Sequence, residues 1–255
     1  MNTRPMRSVT LLALLSLPVA APAVDLDCRH TSERRATLDA AGATRVEIVA
    51  RAGDLTVQPA AGGSLLAEGR ACASSPELLE QIQLRTQREG DVLRVYAQMP
   101  GEMKGIGLFY ATLDLVVSVP ADLPVDVTDS SGDATLDRVH LARVHDSSGD
   151  ILARNVSGDF EIEDSSGDVR VEQSQGKVSI RDSSGDIVVQ GASGVHVVVD
   201  SSGDIDIARV TGDVLIEQDS SGDIAIAGVG GNVAVLADGS GQLRVSDARG
   251  TVKVP

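Results

Sequence analysis

The residues of this chain best suited to chemistry are aspartates in a recurring pentapeptide. Asp-Ser-Ser-Gly-Asp occurs six times. Its first Asp falls at Asp129, Asp146, Asp164, Asp182, Asp200 and Asp219, and its last at Asp133, Asp150, Asp168, Asp186, Asp204 and Asp223. Carboxylates repeated in this way support two kinds of chemistry. They can ligate Ca²⁺, a hard cation that takes about six to eight oxygens from carboxylates, carbonyls and water. They can also act locally, an Asp accepting hydrogen bonds from backbone N–H groups two and three residues on to form an Asx-turn.

What positions these residues is a repeat. The pentapeptides start 17, 18, 18, 18 and 19 residues apart, and a looser glycine turn lies midway between them, as at Gly158, Gly176, Gly194 and Gly212. A fixed period of this size marks a repeat architecture. After each glycine the second and fourth residues are apolar and their neighbours mostly polar: Ile151 and Ala153, Phe160 and Ile162, Val169 and Val171, Ile187 and Val189. Alternation of β-branched residues is a strand with one buried face. No such unit can bury that face alone, so the units must stack, each coil pairing in parallel with the next at about 4.8 Å. The fold class expected is all-β: a parallel β-solenoid of 18 residues and two strands per coil, about seven coils, with an N-terminal β-rich capping region.

The register predicts the corners. Seven residues after the glycine of the tight turn stand Val139, Val156, Ser174, Ala192, Val210 and Val229, a corner of small, mostly apolar side chains. The equivalent place on the other side is the first Ser of the pentapeptide, predicting an inward hydroxyl ladder at Ser130, Ser147, Ser165, Ser183 and Ser201. His196 falls where a buried apolar residue is due. Either it is a core histidine, or a local shift turns Val195, Val197 and Val199 inward.

Residues 1–23 read as a secretory signal peptide. Arg4 and Arg7 precede an uncharged apolar run from Val9 to Ala20, and Ala21-Pro22-Ala23 gives a cleavage pattern. That run is shorter than the about 20 residues of a spanning helix, and no later segment qualifies as a transmembrane segment. Asp25-Leu26-Asp27 before Cys28 argues against a lipid anchor. Residues 24–125 hold irregular alternating segments, read as the β-rich cap, and residues 126–255 are the solenoid. Export favours pairing of the only two cysteines, Cys28 and Cys72, as a disulfide. The formal charge is −15, and −17 without Arg4 and Arg7, which opposes binding to nucleic acid or anionic lipid.

Stacking turns the aspartates into two columns along one edge, where neighbouring carboxylates repel by about 1 kcal/mol per pair even in water. Calcium-binding nonapeptide repeats share the period only: they carry two glycines, with Asp two residues after a Gly. Here Asp follows Gly directly, so turn chemistry is the expected role. The calcium candidates are Asp129, Asp133, Asp146, Asp150, Asp164, Asp168, Asp182, Asp186, Asp200, Asp204, Asp219 and Asp223. An enzyme acting on polysaccharide is the class to test against, since parallel β-helices can host such sites. It would need a groove with aromatic platforms or convergent acids. The repeat half holds one aromatic, Phe160, and there is no Trp. His140, His145 and His196 share no column, and the serines have no triad partners. No catalytic residue and no cofactor is expected, Ca²⁺ being the one candidate ion.

Several segments carry a resemblance. Leu115-Val116-Val117-Ser118-Val119-Pro120, Val125-Asp126-Val127-Thr128 and Ser131-Gly132-Asp133, with the earlier Gly53-Asp54-Leu55-Thr56-Val57, resemble the bacterial "putative adhesin" family of β-strand-repeat domains of unknown function. The resemblance covers roughly residues 40–255. It implies an exported or envelope-associated β-solenoid and carries over no catalytic residues. The reading that follows is a non-enzymatic, adhesin-like scaffold contacting protein or glycan at the cell envelope, periplasmic first, with cell surface or secretion as alternatives. The alternative reading is a calcium-stabilised adhesin-like repeat. For the scaffold reading, outward Leu152, Val188 and Leu215 would offer a contact strip.

Overall fold

A computed structural model of the protein describes residues 28–101 and 109–255. The signal peptide expected at residues 1–23 lies outside the described residues. The rest is all-β apart from one short helix, Pro76–Gln81, capped by the Ser75 side chain accepting the Leu78 N–H and opened by Pro76.

Two eleven-stranded sheets run the length of the molecule. From Leu55–Pro59 the first sheet continues through Ala134–Asp137, Ile151–Arg154, Val169–Glu172, Ile187–Ala192, Ile205–Val210, Ile224–Val229 and Leu243–Ala248. From Arg45–Val49 the second continues through Pro124–Thr128, His140–His145, Phe160–Glu163, Lys177–Arg181, Gly194–Val199, Val214–Ile216, Val233–Val235 and Val252–Lys253. Every pair in these runs is parallel. The chain alternates between the sheets, so each coil is one strand from each, as the 18-residue period predicts. Ile151 sits on Val169, Val169 on Ile187 and Ile187 on Ile205. The result is a β-solenoid of about seven turns.

The inward face of both sheets is one continuous apolar core, with Ile151, Ile162, Val171, Ile180 and Val189 fully enclosed. The apolar corner forms where expected: Val139, Val156, Ala192, Val210 and Val229 are buried, and Ser174 nearly so. His196 is not in the core. Val195 and Val197 turn inward, and the half-exposed imidazole meets Glu217 at 2.8 Å. Val195 and Val197 pair with the inward Val178 and Ile180, and the register slips by one residue only beyond them, so Val199 pairs with Arg181 and stays half-exposed instead of turning inward as expected.

The segment before residue 125 is woven into the same sheets. Arg45–Val49 and Leu55–Pro59 pair in parallel with Pro124–Thr128 and Ala134–Asp137 on one side. On the other side they pair with Val92–Gln98 and Ala111–Val119. These strands therefore make two further coils. Antiparallel strands close that end: His30–Asp39 on Ser64–Ala73, Ser64–Ala73 on Ala111–Val119, and Gln83–Glu89 on Val92–Gln98. Reversing direction gives the first coil's open edges a partner from the chain itself. A Cys28–Cys72 disulfide, with Cα atoms 5.6 Å apart, ties the start of the described chain to this closing layer.

Candidate functional site

The pentapeptide turns form one long edge of the solenoid, and glycine sets how closely the turns stack. Gly132, Gly149, Gly167, Gly185, Gly203, Gly222 and Gly241 all have φ between +112° and +145°, where only glycine is unstrained. Each also lies on the backbone of the glycine below: a Cβ on Gly167 would stand 2.0 Å from the Gly149 carbonyl oxygen. Across the solenoid, Gly176 has ordinary φ but would place a Cβ 1.8 Å from the Gly158 carbonyl oxygen. Close approach alone demands glycine there.

The last Asp of each pentapeptide points outward and works on the next coil. The Asp168 N–H donates to Asp150 Oδ1 at 2.9 Å, Asp186 N–H to Asp168 at 2.9 Å, Asp204 N–H to Asp186 at 2.9 Å and Asp223 N–H to Asp204 at 2.8 Å. The column begins earlier than the pentapeptides, at Asp114, which accepts from the Asp54 N–H at 3.3 Å; Asp54 in turn accepts from the Asp133 N–H at 3.2 Å, and the column ends on the Gln242 N–H. Each carboxylate thus satisfies a backbone donor that the turn leaves over. That bond offsets the repulsion between neighbours, because a charge-assisted bond is the stronger kind. The opposite corner uses the device where its sequence allows: Asp159 accepts from Lys177 N–H, Asp213 from Asn232 N–H and Asn232 from Thr251 N–H.

The first Asp of each pentapeptide points into the core, and this corrects the hydroxyl ladder expected at Ser130, Ser147, Ser165, Ser183 and Ser201. Asp129, Asp146, Asp164, Asp182, Asp200 and Asp219 are between 0% and 5% exposed, whereas those serines are exposed or half-exposed. Strand alternation explains it. Phe160 and Ile162 face inward, Glu161 and Glu163 face outward, and Asp164 takes the next inward place. On the apolar side one added residue breaks the alternation. Arg138, Asn155, Gln173 and Arg209 sit there at φ of 54° to 58°, with glycine at Gly191 and Gly228. This left-handed residue turns the seventh position inward on that side only.

The inner aspartates bond locally, though one and two residues on instead of two and three. Asp164 Oδ1 accepts from Ser165 N–H at 2.7 Å and Ser166 N–H at 3.3 Å, and Asp182 Oδ1 does the same with Ser183 and Ser184. Their Oδ2 atoms, like those of Asp129 and Asp146, are buried without a hydrogen-bond partner. Burial pushes Asp129, Asp164 and Asp182 up to about 6 and Asp200 to about 7, and raises Asp146 and Asp219 as well. The second serine of the turn makes the hydroxyl contacts, outside: Ser184 Oγ donates to the Ser165 carbonyl and Ser202 Oγ to the Ser183 carbonyl, each at 3.3 Å.

The arrangement is therefore linear. Among the described residues no three His, Cys, Asp or Glu side chains are grouped as ligands of one metal ion. The histidines stay apart, with His140 on the Asp122 carbonyl, His145 near Glu163 and His196 on Glu217. A hollow beside the first inner Asp is lined by Arg51, Tyr96, Met99, Pro100, Ser130 and Ser131. It brings together one guanidinium, one phenol, one carboxamide and two hydroxyls, with no carboxylate or imidazole among the described residues that line it. Leu152 and Val188 are separated by Arg170 in the first sheet, and Leu215 lies in the second, so they do not form the single contact strip expected.

No curated protein matches this chain. Among solved structures, a "putative lipid binding protein" from Parabacteroides distasonis is 17% identical, over 89% of this chain and 97% of that one, with a TM-score of 0.47. A "putative adhesin" from Bacteroides fragilis is 13% identical, over 89% and 98%, with a TM-score of 0.47. A "putative cell adhesion protein" from Clostridium sporogenes is 10% identical, over 89% and 100%, with a TM-score of 0.39. The likeness is distant in each case. The model of the Toastrack DUF4097 family matches residues 43–196, a span that takes in the two woven coils and the first four pentapeptides and agrees with the resemblance carried by the Ser-Gly-Asp turns. This chain belongs to the Toastrack DUF4097 family.

Proposed function

We propose that the protein is an exported, non-enzymatic scaffold of the cell envelope, adhesin-like in that it works by contact with protein or glycan along the outward faces of its strands. The observation that carries the reading is the architecture itself. Two eleven-stranded sheets hold their outward side chains in fixed rows, and a rigid solenoid with extended faces is suited to binding along its length. The Cys28–Cys72 disulfide supports an oxidising compartment. Among the described residues no helix is long and apolar enough to cross a membrane. The hollow and the turns lack the acid, base and nucleophile constellation that catalysis requires.

Two measurements on the full chain test this. Cell fractionation, with mass spectrometry of the N-terminus, should recover the protein in the periplasm or envelope without residues 1–23. Recovery from the cytoplasm with Met1 in place would refute export. A glycan and envelope-protein array should give a ligand whose retention falls when the outward face of one sheet is altered, by Leu152→Ser and Val188→Ser on the first or Leu215→Ser on the second. Binding that survives all three changes but is lost on altering Arg51 or Tyr96 would move the function from the strand faces to the hollow.

A further inference from the structure

The inner carboxyls form the least expected feature of this core. They stack one per coil, about 4.8 Å apart. In the first four, one oxygen is bonded to the following serine N–H and the other has no partner. In Asp200 and Asp219 both oxygens are buried without a hydrogen-bond partner, and the two residues bridge in parallel on adjacent coils. Two carboxylates cannot hydrogen-bond without a proton between them. A protonated carboxyl has one O–H donor to give its neighbour, at about 2.5 to 3.0 Å.

We propose that the inner Asp column folds carrying protons in place of charges, so that the solenoid is tightest in mild acid and loosens as the column ionises toward alkaline pH.

The charged surroundings favour this. Asp129 feels Asp146 and Asp54, and Asp164 feels Asp182 and Asp146. Asp182 feels Asp168, Asp200 feels Asp182 and Asp219, and Asp219 feels Asp238. All of these are acidic. Two groups near the column can be positive: His145, beside Asp146, which is also close to Asp133, and Arg51, which lines the hollow with Ser130 and Ser131 at the first turn. A buried anion without a counter-charge takes up a proton in preference to paying for its desolvation. The sign follows. The folded state holds protons that the unfolded chain releases above about pH 4, so stability falls as pH rises from there to about 7 and then levels off. A shift from 3.8 to about 6, as at Asp164, sets a ceiling of about a hundredfold on the unfolding equilibrium per residue, with less for coupled neighbours.

The test is urea unfolding of the full chain at about pH 5 and about pH 8, read as the midpoint. It compares the wild type, the double variant Asp164→Asn/Asp182→Asn, and Asp213→Asn as a surface-turn control. An amide keeps the shape and can donate, but does not titrate. The expected result is a wild-type midpoint that falls on going to alkaline pH, a double variant that loses distinctly less and is the more stable of the two at the higher pH, and a control with the wild-type slope. A wild-type midpoint that is flat or rises with pH would overturn the proposal whether or not the variants fold. So would equal slopes in wild type and double variant, or full recovery of the alkaline loss on adding calcium, which would put a cation in the column.

Discussion

Changing Gly167 to Ala asks how strongly the turn edge fixes the stacking of coils. Two costs combine at this position. Gly167 has φ of +134°, a region that L-residues enter at about 1–3 kcal/mol. The new methyl would also stand 2.0 Å from the Gly149 carbonyl oxygen and 2.6 Å from its carbon. Backbone atoms cannot rotate away as a side chain can, so the two coils must separate locally. The bonds between those two coils then stretch, among them Gly149 N–H to the Ser166 carbonyl at 3.0 Å and Ile151 N–H to the Asp168 carbonyl at 2.8 Å. At about 1 kcal/mol for each bond weakened, the whole comes to about 3–5 kcal/mol. Gly90→Ala is the matched comparison. It has φ of +63° and nothing within 4 Å of the added Cβ, so it should cost only the about 1–2 kcal/mol of left-handed backbone. Urea denaturation at fixed pH, comparing midpoints with the slope unchanged, measures both. A Gly167→Ala cost no greater than that of Gly90→Ala would refute the reasoning, since stacking would then add nothing to local strain.

Other expectations follow from the same structure. Ile162→Ala removes a side chain with no exposure and should cost about 2–5 kcal/mol in chemical denaturation; a loss below about 1 kcal/mol would mean that the core is not packed around it. Asp168→Ala leaves the Asp186 N–H without its acceptor and should cost about 1 kcal/mol. Asp168→Asn should cost less, because Asn232 already does this work for Thr251; equal losses would assign the effect to charge. Reducing Cys28–Cys72, which closes a separation of 44 residues, should lower stability by up to about 4 kcal/mol, seen as a drop in Tm with reductant that the Cys28→Ser/Cys72→Ser variant no longer shows. An unchanged Tm would mean that the closing layer holds without its crosslink.

The parallel stacking, the strand spans after Pro124 and the apolar corner were legible because glycine spacing and alternation state them directly. Ile151, Val169 and Ile187 stand 18 apart in the sequence and one above another in the sheet. The woven coils were not legible. Arg45–Val49 finds its partners at Val92–Gln98 and Pro124–Thr128, and no local pattern encodes a crossing of that length. The inner aspartates carry a signal in the sequence, since inward alternation continues from Ile162 to Asp164 without a break, but a carboxyl is among the side chains least expected in a core. The left-handed column had almost none, since Arg138, Asn155, Gln173 and Arg209 share no chemistry that names their backbone. Turn bonding by the outer aspartates was anticipated in kind, though the bond goes to the coil above instead of along the turn.

At the centre of this account, the repeat aspartates belong to the protein's own bonding: the outer column caps the next coil and the inner column lies within the core. A thermal melt of the full chain near neutral pH, first in excess chelator and then in millimolar calcium, tests that most directly. The same Tm is expected in both. A large calcium-dependent rise would contradict it, making the columns a metal site and the solenoid an ion-gated fold.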